Sequence, residues 1–491
     1  MKLQSVSPLK IICVLLLTIP LLYAWNARAK VEIIIGSFLG DEQRNYYGNQ
    51  APAKLDVIWK TFLGKGKTII STKIGEKEWA GSGWTGQPLL VREDGQLILF
   101  QGAFDHQLKK LDATTGKIIW QYSFDDVIKG TGSIWLNDKA DNPAERFIIL
   151  QGSRRGLDKD LYSRIVPSFR AVSGFSGEEV WRLNVGQTPS YSRDVDGSAL
   201  VLGDTAYVAL ENSVFLKFNP DRRQARIQDG ILQPRIFQQV NLYSKRDIQN
   251  HGGNLVVESS PALLGDRIYI TAGSGHVFGY NLKLQKIDWD FYIGSDMDGS
   301  PVVTSDSCLI VTVEKQYIPG KGGVFKLDPR KSPDQAVVWF MPTEDDSVEN
   351  WAGGVIGSVG INDRTKTNED RWLCAFIAID GHLYVVDHRK IDKQKPNILG
   401  PDNRKLYPQP ELVFTSKIGA SIATPIIVGN KLVAPGYKGL FLFEYNPQGD
   451  FRLLDKHLSG SFESTPIAYD QKIYVGSRDG YLYCLGEKGK I

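Results

Sequence analysis

The sequence is poor in the residues that build disulfide scaffolds and zinc sites. Its 491 residues include only 4 Cys, 6 His and 3 Met. Cys308, Cys374 and Cys484 lie beyond the N-terminal apolar run, so they allow at most one disulfide and the core must come from packing. The histidines lack the H-x-H and H-x-x-x-H spacings of zinc ligands. G-x-S-x-G and P-loop motifs are also missing, which argues against hydrolases and nucleotide enzymes of those types.

An excess of charge of one sign is also missing. The chain has 58 basic and 55 acidic residues, a formal net charge of +3. Removal of residues 1–29 would take away three basic and no acidic residues, which leaves a net charge of zero. A neutral protein has no electrostatic basis for binding nucleic acid or an anionic membrane surface. We therefore expect no nucleic-acid partner, and membrane contact only through the N-terminus.

The N-terminus has the pattern of an export signal. Two lysines precede an apolar run at residues 11–22, and an A-x-A motif follows at 27–29. The run is shorter than the roughly 20 residues that a transmembrane helix needs, so a signal peptide over 1–29 is predicted. An uncleaved anchor stays open, because residues 23–25 extend the apolar run. Cys13 lacks the preceding small residues of a lipid-modified cysteine. The expected location is periplasmic or extracellular.

Abundant glycine and aromatic residues, with 49 Gly, 20 Tyr, 21 Phe and 11 Trp, favour many short strands joined by tight turns. The clearest unit, residues 83–121, contains four strand-length segments in about 40 residues, the size of one propeller blade. Related segments recur along the chain. The residues that mark the closing strand of each unit are Trp59, Trp120, Trp181, Phe237, Trp289, Trp339, Phe414 and Leu453.

The last repeat ends near Leu485 without its closing strand. The segment 55–60 has the closing-strand pattern but no blade of its own. Pairing the two would leave no exposed sheet edge. We therefore predict an all-β fold, an eight-bladed β-propeller closed by an N-terminal strand that completes the C-terminal blade. Residues 30–54 would form an N-terminal extension and 55–491 a single propeller domain, with uncertain boundaries in the second, third and sixth blades.

The segment 111–120, L-D-A-T-T-G-K-I-I-W, resembles the repeat of quinoprotein-like propellers, and 476–483 is similar to the inner hairpin of that family. The resemblance covers about 55–486. It implies either an eight-bladed alcohol dehydrogenase that binds pyrroloquinoline quinone or a non-catalytic relative, such as the propeller component of the outer-membrane β-barrel assembly machinery. This chain lacks the adjacent cysteines common in the dehydrogenases, and it lacks a C-x-x-C-H haem motif.

We therefore expect a non-catalytic binding or scaffolding module of the cell envelope, with a protein partner and no cofactor. One alternative is a dehydrogenase of alcohols or sugars that depends on calcium and pyrroloquinoline quinone. In that case Asp298 would be the base, and Glu258 and Asp196 would be cation ligands. A second alternative is a carbohydrate-binding propeller, because the chain is rich in aromatic residues.

One column of the repeat is acidic. Asp196, Glu258, Asp298 and Glu463 each stand three residues before the position of the blade-opening proline. The first strand of each blade lines the channel of a propeller, so these carboxylates should lie in one layer. Such a layer would suit a hard cation such as calcium. The alternative is a set of solvated carboxylates paired with arginine. The other members of the column are Thr85, Thr131, Ile356 and Ile422.

Two further features suggest ligand or partner contacts. Trp84 and Trp351 stand near the same column in glycine-rich surroundings, where a flat ligand could stack on them, although packing between blades is the alternative. The long polar insertions at 151–167, 363–371 and 388–410 are candidate partner contacts. Their alternative is a solvated loop.

Overall fold

The computed structural model describes residues 30–71 and 73–489 and shows the predicted all-β, eight-bladed propeller. The predicted signal peptide lies outside the described residues and stays a prediction. Each blade is an antiparallel sheet of four strands, and blade 1 carries a fifth. Among the described residues, no helix is long and apolar enough to span a bilayer. Cys308, Cys374 and Cys484 are buried and free, so the fold rests on packing.

Blades 1 to 4 follow one another along the chain. Blade 1 contains β5 (Leu89–Glu93), β6 (Gln96–Gly102), β7 (Gln107–Asp112) and β8 (Ile118–Ser123), and blade 2 contains β9 (Ser133–Leu136), β10 (Phe147–Gly152), β11 (Phe169–Ser173) and β12 (Glu179–Leu183). Blade 3 contains β13 (Leu200–Leu202), β14 (Thr205–Leu210), β15 (Val214–Asn219) and β18 (Arg235–Asn241), and blade 4 contains β19 (Ala262–Leu264), β20 (Arg267–Ala272), β21 (His276–Asn281) and β22 (Lys286–Tyr292).

Blades 5 to 8 complete the ring. Blade 5 contains β23 (Val302–Val303), β24 (Leu309–Val313), β25 (Gly323–Leu327) and β26 (Val337–Pro342), and blade 6 contains β27 (Gly360–Ile361), β28 (Leu373–Ile377), β29 (His382–Ile391) and β32 (Pro410–Lys417). Blade 7 contains β33 (Ile426–Val428), β34 (Lys431–Gly436), β35 (Gly439–Tyr445) and β36 (Phe451–His457), and blade 8 contains β37 (Ile467–Tyr469), β38 (Lys472–Gly476), β39 (Tyr481–Gly486) and β2 (Asp56–Phe62).

The remaining elements decorate the ring. They are β1 (Val31–Ile35), which pairs with β5, the hairpins β3 (Lys65–Ser71) with β4 (Gly75–Ala80), β16 (Arg226–Gln228) with β17 (Ile231–Gln233) and β30 (Ile398–Leu399) with β31 (Leu406–Tyr407), the helix α1 (Lys245–His251), and the 3-10 turns Pro143–Glu145, Arg222–Gln224 and Pro333–Gln335.

Strand β2 is the outer strand of blade 8, with Asp56 opposite Gly486 and Phe62 opposite Tyr481. Its tryptophan explains the repeat motif. The Trp59 indole donates a hydrogen bond to the carbonyl of Ala113 in blade 1 (3.1 Å). Gly116 lies against the same ring with a φ of +73°, and a Cβ there would stand 2.6 Å from it. The closing tryptophan of one blade therefore packs against the glycine turn of the next blade. This contact joins the two blades.

A belt of hydroxyl groups links the inner loops of successive blades. The backbone N–H of Ser198 donates to Ser260 Oγ (2.9 Å), and that of Ser260 donates to Ser300 Oγ (2.8 Å). The same contact runs from Ser300 to Ser358 (2.8 Å) and from Ser358 to Thr424 (3.0 Å). The belt accounts for the Ser or Thr that precedes the opening proline of several blades.

Residues 36–50, here called the N-terminal plug, lie across the central channel. Their contacts with the inner side of the ring reach seven blades, through Gln87, Ile134, Ser198, Leu263, Val303, Ile361 and Ala468. Phe38 and Tyr47 are almost fully buried in the largest hydrophobic cluster. Arg44 is fully buried, and its guanidinium donates to the carbonyls of Phe38 and Pro261 (both 2.9 Å). The segment that looked like an extension therefore closes one end of the channel.

Candidate functional site

The other mouth of the channel opens into a cavity of about 450 Å³. The predicted acidic column lies here, because Asp196, Glu258, Asp298 and Glu463 each stand four residues before an inner strand begins. One side of the cavity is acidic and the other is aromatic and aliphatic. Its lining includes Trp84, Lys129, Glu258, Asp298, Glu314, Trp351, Glu463 and Arg478.

Lys129 holds the first group of carboxylates together. Its Nζ lies 2.5 Å from Asp196 Oδ2, 3.5 Å from Glu258 Oε1 and 3.7 Å from Glu211 Oε1. Burial alone would lower the pKa of Lys129, but these three carboxylates raise it well above its usual range. One carboxylate oxygen from each of the three residues lies within 4.8 Å of the others. The site therefore contains an ammonium group bound in a buried acidic triad.

A second triad of carboxylates lies at the inner end of blade 5. Asp296, Asp298 and Glu314 each offer one oxygen within 4.8 Å of the others. Asp296 and Glu314 are buried, and Asp296 Oδ2 accepts a hydrogen bond from Asn254 Nδ2 (3.0 Å). Asp296 Oδ1 is buried without a hydrogen-bond partner among the described residues. The described part of the chain also supplies no lysine or arginine within ion-pair distance of this triad, unlike the first one.

Blades 3 and 5 share one local acidic pattern, and Glu258 joins the first triad from the segment before blade 4. Residues 194–198 read D-V-D-G-S, and residues 296–300 read D-M-D-G-S. Glu211 directly follows β14, and Glu314 directly follows β24, the second strand of each blade. In blade 3 the additional carboxylate of Asp194 is paired with Arg154 (2.7 Å). The two blades therefore share their acidic groups and differ in their cations.

Burial raises the pKa values of carboxyl groups in both triads, and it holds the pKa of Glu211 well above its usual range in spite of the attraction of Lys129. Burial, and then Asp296 and Glu258, raise the pKa of Glu314 to about 8. Burial and the neighbouring carboxylates also hold the pKa of Asp298 well above its usual range. In the first triad the pKa of Asp196 is raised to about 6, mainly by burial and against the attraction of Lys129. The second triad thus retains protons at neutral pH when no external cation is bound.

Glu463 does not join either triad. Its Oε2 accepts a hydrogen bond from Arg478 Nη1 (2.8 Å), and the Arg478 guanidinium lies over the rings of Phe104 and Trp79. Of the four column carboxylates, the structure places Asp196 and Glu258 in one cluster and Asp298 in another. The Thr131 hydroxyl, in the same column of the repeat, donates to the carbonyl of Thr85 (2.5 Å).

Trp84 and Trp351 both line the cavity and belong to one small hydrophobic cluster with Ile356 and Ile422. Trp84 comes from blade 1 and reaches across the axis to blades 6 and 7. Its Nε1 is buried without a partner among the described residues, and its φ is +31°. Strained backbone of this kind is concentrated at functional sites. Whether a ligand stacks on either indole stays a prediction.

Sequence reasoning missed Lys129, Glu211, Asp296 and Glu314. A larger groove of about 850 Å³ lies between blades 6 and 7. Its carboxylate Glu444 is paired with Lys431 (3.3 Å) and Arg452 (2.5 Å), and Glu369 and Asp450 also line it. The channel mouth is the stronger candidate for a binding site, because there the carboxylates are buried and converge in two triads.

Comparisons with known proteins agree on the fold. A sequence model of the family described as outer membrane protein assembly factor BamB matches residues 57–339. The crystal structure of BamB from Moraxella catarrhalis is similar with a TM-score of 0.51 and 12% identity, over 88% of this chain and 99% of that chain. The quinohemoprotein alcohol dehydrogenase from Comamonas testosteroni gives a TM-score of 0.56 and 12% identity, over 92% and 81% of the two chains. A search of curated protein sequences found no significant match.

Proposed function

Because the chain belongs to the family described as outer membrane protein assembly factor BamB, we propose that it is an exported, non-catalytic binding module of the cell envelope. It would hold a basic segment of a protein partner in the acidic channel mouth. The export signal predicted over residues 1–29 supports this location, and N-terminal sequencing of the exported protein should find Lys30 first. Retention in the cytosol with Met1 intact would contradict it.

The observation that carries this proposal is the pair of triads. The first triad, Asp196, Glu211 and Glu258, lies around the ammonium group of Lys129, which offsets part of its negative charge. The triad Asp296, Asp298 and Glu314 also brings three carboxylate oxygens within 4.8 Å of one another, faces the open cavity and lacks such a partner in the described part of the chain. An ammonium group from a partner's lysine would complete it. Aromatic residues around the cavity would cover the aliphatic part of that side chain.

The dehydrogenase alternative requires a site for pyrroloquinoline quinone, which carries three carboxyl groups. The basic residues that line the cavity are Lys129 and Arg478. Lys129 already faces three carboxylates, and Arg478 is paired with Glu463. An acidic cavity whose cations are engaged does not fit a tricarboxylate ligand. Asp298 is therefore not proposed as the base of an oxidation. The carbohydrate-binding alternative rests on the aromatic content of the chain, and Trp84 and Trp351 are among the aromatic residues that line the cavity.

A titration with three probes tests the proposal. The tryptophan fluorescence of the purified chain should change with a trilysine peptide and not with pyrroloquinoline quinone. The double variant Asp298→Asn, Glu314→Gln should lose the peptide response, whereas Glu444→Gln, in the distant groove, should retain it. Binding of quinone together with alcohol oxidation that the double variant abolishes would establish the dehydrogenase instead.

Calcium is the third probe, because three carboxylates within 4.8 Å also suit a hard cation. Calcium that competes with trilysine at the same triad would agree with a cation-binding mouth. If calcium binds and trilysine does not, the peptide proposal is wrong and the predicted cation ring is supported instead. If none of the three probes gives a response, the channel mouth is not a binding site.

A further inference from the structure

The insertion at residues 388–410 carries a short hairpin, β30–β31, at the outer edge of the ring. It lies beyond the residues that the family sequence model matches. Ile398 and Tyr407 pack inward against blade 5, where the Tyr407 ring is 5.6 Å from that of Phe325. Neighbouring residues of a strand point to opposite faces. Leu399 and Leu406, a cross-strand pair, are accordingly 48% and 59% exposed. The hairpin thus presents two adjacent leucines to solvent.

Basic side chains surround this apolar pair. Residues 388–410 contain six lysines or arginines and two aspartates. Lys390 and Lys395 lie within 3.5 Å of Asp387 and 3.7 Å of Asp392, respectively. Lys393, Arg404 and Lys405 are exposed and form no ion pair with the described residues. The near-neutral chain therefore carries a local patch that is both basic and apolar.

We propose that the β30–β31 hairpin docks the propeller on an anionic lipid surface. The leucine pair would enter the headgroup region, while Lys393, Arg404 and Lys405 would contact lipid phosphates. A stable protein interface buries about 800 Å² on each partner, which is more than a hairpin tip of this size offers. A lipid surface needs only a few apolar side chains with adjacent positive charge, and that combination is what the hairpin presents.

The net charge of zero that remains after removal of residues 1–29 gives no overall attraction to an anionic membrane surface. Screening limits charge interactions to about 8–10 Å at physiological salt, so a surface responds to the local patch and not to the sum over the ring. The inference does not depend on what the channel mouth binds.

Co-sedimentation of the full chain with lipid vesicles tests the proposal. We expect binding to phosphatidylcholine vesicles that contain phosphatidylglycerol, weak binding to pure phosphatidylcholine, and a loss of binding as salt is raised. The variant Leu399→Ser, Leu406→Ser should bind the anionic vesicles at least about tenfold more weakly. The variant Lys393→Glu, Arg404→Glu, Lys405→Glu should lose the salt-dependent binding.

Matched controls separate the hairpin from general surface effects. Leu284→Ser with Leu458→Ser removes two leucines of similar exposure (59% and 55%) elsewhere on the ring, and Lys117→Glu with Lys286→Glu reverses exposed charges on other blades. Both should bind like the unaltered chain. The proposal is overturned if anionic vesicles do not bind, or if the hairpin variants bind as well as their controls. If the hairpin variants bind vesicles normally but no longer bind an acidic protein partner, the patch is a protein-binding surface and the lipid proposal is wrong.

Discussion

Asp296, Asp298 and Glu314 are ordinary acidic residues whose behaviour is set by where the fold places them. Two of the three are buried, and no basic residue of the described chain forms an ion pair with them. Burying neighbouring negative charges costs free energy, and the carboxyl groups avoid this cost because they keep protons bound. The channel mouth should therefore respond both to pH and to any added cation.

The pH dependence of Glu314 has a defined sign. Its pKa is about 8 in the folded protein and near 4.5 when unfolded, so the folded state holds a proton that the unfolded state releases. The resulting stabilisation is complete below pH 4.5 and is lost progressively as the pH rises to 8. The variant Glu314→Gln, which is neutral throughout, should show a flatter decline in melting temperature between pH 5 and 8 in the absence of divalent cations.

As a control, Glu463→Gln removes a carboxylate paired with Arg478 and should not flatten the profile. An unchanged slope in Glu314→Gln would contradict the buried, protonated triad.

Lys129 tests the first triad. Its replacement by methionine would leave Asp196, Glu211 and Glu258 without the ammonium group that lies against all three. We expect a loss of about 3–5 kcal/mol in the free energy of unfolding, measured by urea denaturation. Lys129→Arg keeps the charge and should lose much less. A cost below about 1 kcal/mol for the methionine variant would mean that water, and not Lys129, compensates the carboxylates.

Among the structural elements, the turn glycines and closing tryptophans hold neighbouring blades together. Gly116 and Gly95 both have positive φ (+73° and +86°), but only at Gly116 would a Cβ collide with the Trp59 ring. Each alanine variant should lose about 1–2 kcal/mol to backbone strain. Gly116→Ala should lose a further 1–3 kcal/mol because the β2 indole must move. If thermal unfolding shows the same loss of stability for Gly116→Ala and Gly95→Ala, the contact between Gly116 and Trp59 contributes little.

The N-terminal plug is the element that the sequence revealed least, and its burial predicts a large effect. Phe38 is 1% exposed within the largest hydrophobic cluster, whereas Ile33 in β1 is 41% exposed. Phe38→Ala should therefore cost about 3–5 kcal/mol, and Ile33→Ala should cost less than about 1 kcal/mol. Urea unfolding of both variants provides the comparison. Similar small costs would mean that the plug is an appendage and not part of the core.

At the scale of the whole molecule, the repeat predicted the ring well and the site only in part. All eight residues chosen as closing positions lie on the outer strands of the blades, because tryptophan, glycine and strand period recur in a fixed order. The proline register also located the acidic column. It could not locate Glu211 or Glu314, which follow the second strand of their blades and lie outside that single column.

Other parts of the molecule depend on long-range contacts that a repeat does not encode. Lys129 reaches the blade 3 triad from blade 2, where the repeat is degenerate. The plug resembles a polar loop in sequence, although Arg44 is fully buried against backbone carbonyls. The shared D-x-D-G-S segments of blades 3 and 5, each followed by a glutamate after the second strand, are a signal that could have identified Asp296, Glu211 and Glu314.

The most direct test of a partner-binding channel mouth is photo-crosslinking in the native host. Tyr317 is 51% exposed, and its hydroxyl accepts a hydrogen bond from Asn254 beside the second triad. A photoreactive phenylalanine at position 317 should form a crosslink to an envelope protein, and the added substitutions Asp298→Asn and Glu314→Gln should abolish it. The same probe at Leu284, which is 59% exposed on blade 4, should form none. Equal crosslinks at both positions, or a crosslink at 317 that survives loss of the carboxylates, would contradict recognition by the acidic mouth.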